Sequence, residues 1–140
     1  MADEEILGVV ENAVTWNYKY NLFLTTNRIV VAKIRGPKDD LSWLLSPMAG
    51  IVADKLLKPE EKRRERLRGM SAEDILKADK GNFEIPYSEI TKVEMKKFGR
   101  RRDMRILTAM KEHKFFVNRD RFDEYVNIVR SILPDKLSVL

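Results

Sequence analysis

Seven basic side chains, Lys92, Lys96, Lys97, Arg100, Arg101, Arg102 and Arg105, fall within fourteen residues that contain only Glu94 and Asp103 as acids. Their excess of five positive charges equals the formal net charge of the whole 140-residue chain, +5. The basic character therefore belongs to one patch rather than to the surface at large. Guanidinium groups hold phosphate or carboxylate in a bidentate fork, which suits phospholipid headgroups, nucleic acid or an acidic protein. The same residues also fit a solvated hairpin tip whose charge discourages edge-to-edge aggregation.

A second candidate surface lies in Leu41 to Leu57, where Trp43, Leu44, Met48, Ile51 and Val52 recur among small residues, with no charge until Asp54. Ser46 before Pro47 fits a helix N-cap followed by proline at the first helical position. A helix from Pro47 to Lys58 spans about 18 Å at about 1.5 Å per residue, short of the ~30 Å hydrocarbon layer, so it cannot cross a membrane. Its apolar circumference must pack on its own domain, on a second copy through residues 41–57, on a partner or in a membrane interface.

The remaining chemistry is sparse. The chain has no Cys and a single His, which removes disulfides, thiolate nucleophiles and histidine-rich metal sites and suits an intracellular protein. The acidic start, Met1 to Glu5, lacks the basic-then-apolar pattern of a secretory signal. His113 sits among charged neighbours and reads as a solvated turn residue. Ser71 reads as a helix cap rather than a nucleophile, since no base can be placed beside it. There is no glycine-rich phosphate loop, metal-ligand spacing or nucleophile–base set, so no catalytic residue, cofactor or metal is expected.

The elements that must position the basic run follow from periodicity. Ile6 to Thr15, Tyr20 to Thr25 and Ile29 to Ile34 read as strands, with Tyr20, Leu22 and Leu24 on the core face and Thr26-Asn27 as a tight turn. Residues 37–80 read as helical, interrupted by Pro59, with a last short helix between Ser71 and Asp79. Strands return at Phe83 to Pro86, an edge, and at Thr91 to Phe98, where Val93 and Met95 oppose Lys92, Glu94 and Lys96. Gly99 to Asp103 reads as a five-residue loop into Met104 to Met110, followed by Lys114 to Val117. Asp120 is placed to cap a final amphipathic helix carrying Phe122, Tyr125, Val126, Val129 and Leu133, which Pro134 ends.

Three stretches of this pattern resemble the prokaryotic pleckstrin-homology-like proteins, a group that includes GRAM-type domains. They are Leu22 to Val31, with its Leu-Thr turn and Arg28; Ile85-Pro86-Tyr87 through Ile90 to Val93; and Phe115-Phe116-Val117 leading into Phe122 to Leu133. The resemblance implies an α+β, mainly β fold: a PH-like barrel of seven antiparallel strands in two sheets, closed by a C-terminal helix. Residues 1–140 then form one domain, with 37–80 as a helical insertion between strands 3 and 4, outside the minimal fold. Loops on compact domains tolerate length changes at modest entropic cost, so the sheet core is expected to fold without the insertion. Phosphoinositide-binding members cluster Lys and Arg in the first hairpin. Here Trp16 to Tyr20 carries only Lys19, so inositol phosphate recognition does not carry over to it.

The combined reading is a cytoplasmic, non-enzymatic binding module, with or without a peripheral place at the membrane. It would meet an anionic membrane surface or an acidic protein through the basic hairpin. The alternatives are a nucleic-acid-binding protein using the same arginines, or an oligomeric assembly protein joined through the insertion.

Overall fold

The computed structural model describes residues 4–36, 67 and 69–140. The apolar run with Trp43, Leu44, Met48, Ile51 and Val52, and the expected helix from Pro47, lie outside the described residues. Three strands come first: β1 (Ile6–Thr15), β2 (Tyr18–Thr25) and β3 (Arg28–Arg35). The short helix α1 (Ala72–Lys77) and β4 (Phe83–Pro86) follow. Then come β5 (Ile90–Phe98), β6 (Arg101–Thr108), β7 (Glu112–Phe116), helix α2 (Phe122–Ile132) and β8 (Leu137–Val139).

The fold is α+β and mainly β. Eight strands form one open mixed sheet in the order β4-β3-β2-β1-β7-β6-β5-β8, where seven antiparallel strands in two sheets were expected. The additional strand follows Pro134, where sequence periodicity ends. Leu137–Val139 runs parallel to β5 and covers donors and acceptors that would otherwise lie on an open edge. The Val93 N–H donates to the Lys136 carbonyl at 2.8 Å, and the Leu140 N–H to that of Met95 at 2.9 Å. The two halves of the sheet join through a single registered pair, Val14 with Phe116. β1 shifts register between Val10 and Ala13, where Asn12 takes φ 58° and its N–H is held by Asn21 Oδ1 at 3.2 Å. Such a bulge adds twist to a strand that must leave one half of the sheet and meet the other.

The main core lies between the inward faces of the strands and α2. Phe122, Tyr125, Val126 and Val129 of α2 are buried against residues such as Val10, Leu22, Met95, Met104 and Phe115. At Gly8 the helix comes so near that an added Cβ would sit 2.5 Å from Ile128 Cγ2. The cap differs from expectation: no side chain caps α2 itself, and Asn118 Oδ1 instead accepts the Asp120 N–H at 2.8 Å and starts a 3₁₀ turn, Arg119–Arg121, that feeds the helix. Asn can satisfy an orphan donor two residues on, so the acid is not required there. His113 also differs. It is a β7 residue stacked on Phe83 with ring centroids 5.5 Å apart, because strand pairing carries on past the Lys111 turn. Burial, then the Lys111 charge, holds its pKa below the ordinary value of 6.5.

β2 and β3 are buried on both faces, not on one. The face opposite the main core carries Phe23, Val30, Ala32 and Ile34, which pack with Leu67, Ala72 and Ile75. Ser71 caps α1 as expected, its Oγ accepting the Asp74 N–H at 3.2 Å. The helix is tied down by Arg28, which opens β3. Its guanidinium meets Glu4 from Nε and from Nη2, both at 2.8 Å, Glu73 of α1 at 3.0 Å, and Glu84 of β4. The Arg28 hydrogen bonds hold the Glu4 carboxyl below the usual carboxylate range. Asn82 adds a second tie, its side chain donating to the Ile75 carbonyl at 2.7 Å and accepting the Lys33 N–H at 2.7 Å. Leu67, Ala72 and Ile75, from the stretch read as an insertion, thus form a second core with β2 and β3, and removing them would bare four apolar side chains of those strands.

Two outcomes follow. Ile75→Ala should destabilise the chain by about 2–5 kcal/mol, as for other fully buried isoleucines, measured by urea unfolding. The unfolding midpoint should also fall as pH drops from about 7.5 to about 5.5. Over that range the unfolded chain binds a proton at His113 before the folded one does, which favours unfolding. Carboxylates such as Glu4 titrate below this window, so His113→Phe should flatten the slope.

Candidate functional site

Strands β5 and β6 pair Phe98 with Arg101, Lys97 with Arg102 and Lys96 with Asp103. The expected five-residue loop is thus a two-residue turn, Gly99-Arg100. Gly99 takes φ 61° there, as the first position of a tight hairpin turn prefers. This register sends alternate side chains to opposite faces. The basic run is split accordingly.

Lys97 and Arg102 face the same side as Met95 and Met104 and close over the start of α2. Lys97 Nζ and the Arg102 guanidinium each lie 5.7 Å from the Phe122 ring centroid. Lys97 also reaches Asp123 at 3.6 Å, while Arg102 donates to the carbonyls of Gly99 and Arg101 at 2.7 and 3.0 Å. The outer face holds Lys92, Lys96, Arg101 and Arg105. Arg105 is engaged by Glu112, an ion pair that raises the arginine pKa and lowers that of the acid. Lys92 lies six residues from Phe98, roughly 20 Å along the strand, far from the turn. Lys96, Arg100 and Arg101 remain together at the tip.

Residues outside the basic run complete the surface. Phe98, 61% exposed, and Phe116, 37% exposed, lie on the outer face with Arg101, whose guanidinium is 5.2 Å from one ring centroid and 5.4 Å from the other. Lys96 lies 5.7 Å from the Phe98 centroid, and Lys114 lies 5.5 Å from that of Phe116. The result is a ladder of alternating cations and rings across three strands, each step a cation–π contact. On the same parity of β6 Asp103, only 3% exposed, holds Arg101 Nε at 3.2 Å from Oδ1.

Beside Phe116, a shallow groove of about 410 Å³ is lined by Val14, Thr15, Trp16, Lys114 and Phe116. Trp16 is 92% exposed at the β1–β2 turn and takes φ 52°, a region that bulky residues rarely occupy. The sequence carries a signal for Phe98, which has the outward parity of Lys92 and Lys96, and for Phe116, which alternates with the core residue Phe115. Nothing in the sequence pairs either ring with Arg101, because that needs the β5–β6 and β6–β7 registers.

No family model, no curated protein and no solved structure matches the chain. No helix among the described residues is long and apolar enough to cross a membrane.

The turn itself is testable. A Cβ at Gly99 would meet nothing within 4 Å, so Gly99→Ala should cost about 1 kcal/mol through backbone strain alone. Urea unfolding of the variant measures it.

Proposed function

We propose that the chain is a non-enzymatic, PH-like binding module that associates with anionic membrane surfaces through the outer face of the β5–β6–β7 sheet. The observation that carries this reading is the exposed ladder of Lys96, Phe98, Arg101, Phe116 and Lys114, with Arg100 at its tip. Cations next to amphipathic rings suit the headgroup layer, where charge meets phosphate and rings meet the acyl boundary. The PH-like assignment is supported by the meander of β1 to β4, by the order β7-β6-β5 beside β1, and by the packing of the C-terminal α2 on the main core. A cytoplasmic location fits a module that meets the anionic inner leaflet.

Base stacking is the weaker use of the same rings. Cations already lie within 5.7 Å of both ring centroids, and a stacked base would have to displace them. Each basic residue near an anionic membrane contributes about 1 kcal/mol, so the four cations of this surface, Lys96, Arg100, Arg101 and Lys114, supply a few kcal/mol at low salt. Screening reduces that at higher ionic strength.

The test is vesicle co-sedimentation of the wild type and of an Arg100→Ala, Arg101→Ala variant, which leaves the inward Arg102 in place, at two salt concentrations, beside a duplex DNA titration. Binding to anionic but not zwitterionic vesicles, weakened by salt and lost in the variant, is expected. Tight DNA binding with a steep salt slope and no vesicle binding would replace this reading with a nucleic-acid one. A folded wild type that ignores both would leave an acidic protein as the partner and overturn the membrane reading.

A further inference from the structure

Among the cations of the tip, Arg101 is held differently. Its Nε faces Asp103 Oδ1 at 3.2 Å, and the rings of Phe98 and Phe116 lie 5.2 and 5.4 Å from its guanidinium. Its terminal nitrogens make no hydrogen bond among the described residues, and half the side chain is open to solvent. Asp103 is unusual in its turn. It is a charged residue on the outward-facing parity of β6, yet it is buried, and its Oδ1 makes no hydrogen bond, only the 3.2 Å ion pair with Arg101 Nε. Burying a carboxylate with incomplete hydrogen bonding is costly, and such a group calls for an explanation in what it does.

We infer that Arg101 and Asp103 form a pre-built phosphate receptor for the headgroup of an anionic phospholipid. The inference rests on the membrane reading above and narrows it from a charged surface to one site. Asp103 is the positioning residue: it takes the Nε edge of the guanidinium and leaves the two terminal amino groups as a fork for two phosphate oxygens. Phe98 and Phe116 restrict the plane of that fork, so little side-chain freedom is lost on binding. Lys96 and Lys114, one beside each ring, flank the position the phosphate would take. The groove between Trp16 and Phe116 adjoins the site through Phe116 and Lys114. It offers apolar surface next to the charge, which matches a phosphate carried on an apolar body rather than a free ion. Trp16 at its rim would then enter the headgroup layer.

The experiment compares the wild type with Arg101→Lys, Asp103→Asn and a control, Arg130→Gln, on phosphatidylcholine vesicles with and without phosphatidylglycerol. Free glycerol phosphate is titrated in parallel, and unfolding midpoints are recorded for every variant. Arg101→Lys keeps the charge but loses the fork, so its affinity for the anionic vesicles should fall about tenfold, as expected for lost charge-assisted hydrogen bonds. Asp103→Asn should weaken binding in the same direction without lowering the unfolding midpoint. Arg130→Gln loses a charge on the exposed side of α2 and should change affinity less than about twofold. In a Trp43→Phe background Trp16 is the remaining indole, and its emission should shift to the blue on anionic vesicles but not with glycerol phosphate. Wild-type affinity in Arg101→Lys would overturn the receptor while leaving the membrane reading intact, since charge alone would then suffice. Binding of glycerol phosphate without vesicle binding would overturn the lipid source, and no binding to any anionic vesicle would remove both readings together.

Discussion

Strands β2 and β3 have to be covered on both faces, and much of the structure follows from that constraint. Leu22, Leu24, Ile29 and Val31 face α2 and the second half of the sheet, while Phe23, Val30, Ala32 and Ile34 face the other way. An apolar face of that size cannot be left to water, so Leu67, Ala72 and Ile75 are drawn onto it. Arg28 sits where these layers meet and joins three separate parts of the chain through Glu4, Glu73 and Glu84. With its side chain only 14% exposed, the guanidinium is worth more as a partner than a surface cation, and it would be costly without its carboxylates. The central strand pair and its arginine thus fix the orientation of both flanking layers.

The second half of the molecule uses strand alternation to divide labour within one basic segment. The inward members of the hairpin, Lys97 and Arg102, close over Phe122 and Asp123 and help seat α2. The outward members are then free of the core and meet aromatic rings from β5 and β7. Lys96, Arg100 and Arg101 are left to face solvent at the tip, because Arg105 has its own acid in Glu112. Function, on the reading proposed above, is therefore carried by fewer cations than the sequence offers, and by rings that a count of charges does not include.

The C-terminal strand protects this arrangement. β5 would be an edge beside a basic, aromatic surface, and an open edge there invites pairing with other chains. Leu137–Val139 occupies it in parallel, and Lys136 anchors the approach by donating from Nζ to the carbonyls of Tyr87 and Ile90 at 2.6 and 2.7 Å. At the other edge, β4 is short and ends in Pro86, so that side is blunted by sequence alone.

Local pattern by itself determined the first seven strands, the short cap at Ser71 and the apolar face of α2, because each is a periodicity or a capping preference within a few residues. It also placed Val93 and Met95 inward and Lys92 and Lys96 outward, since side-chain parity in a strand needs no partner. The tertiary structure decided whatever depended on a second segment. Periodicity around Tyr20 to Thr25 cannot reveal that Phe23 is also covered, because the covering residues lie more than forty positions away in Leu67, Ala72 and Ile75. The three arginines at 100–102 read as one loop until the pairing of Phe98 with Arg101 shortens the turn and sends two of them to opposite faces. Asp103 reads as a loop acid for the same reason, and only strand pairing sets it opposite Phe116 and beside the Arg101 guanidinium, where it is buried. Register is a relation between strands, so a single segment cannot hold it, and the candidate site exists only where the β5–β6 and β6–β7 registers agree.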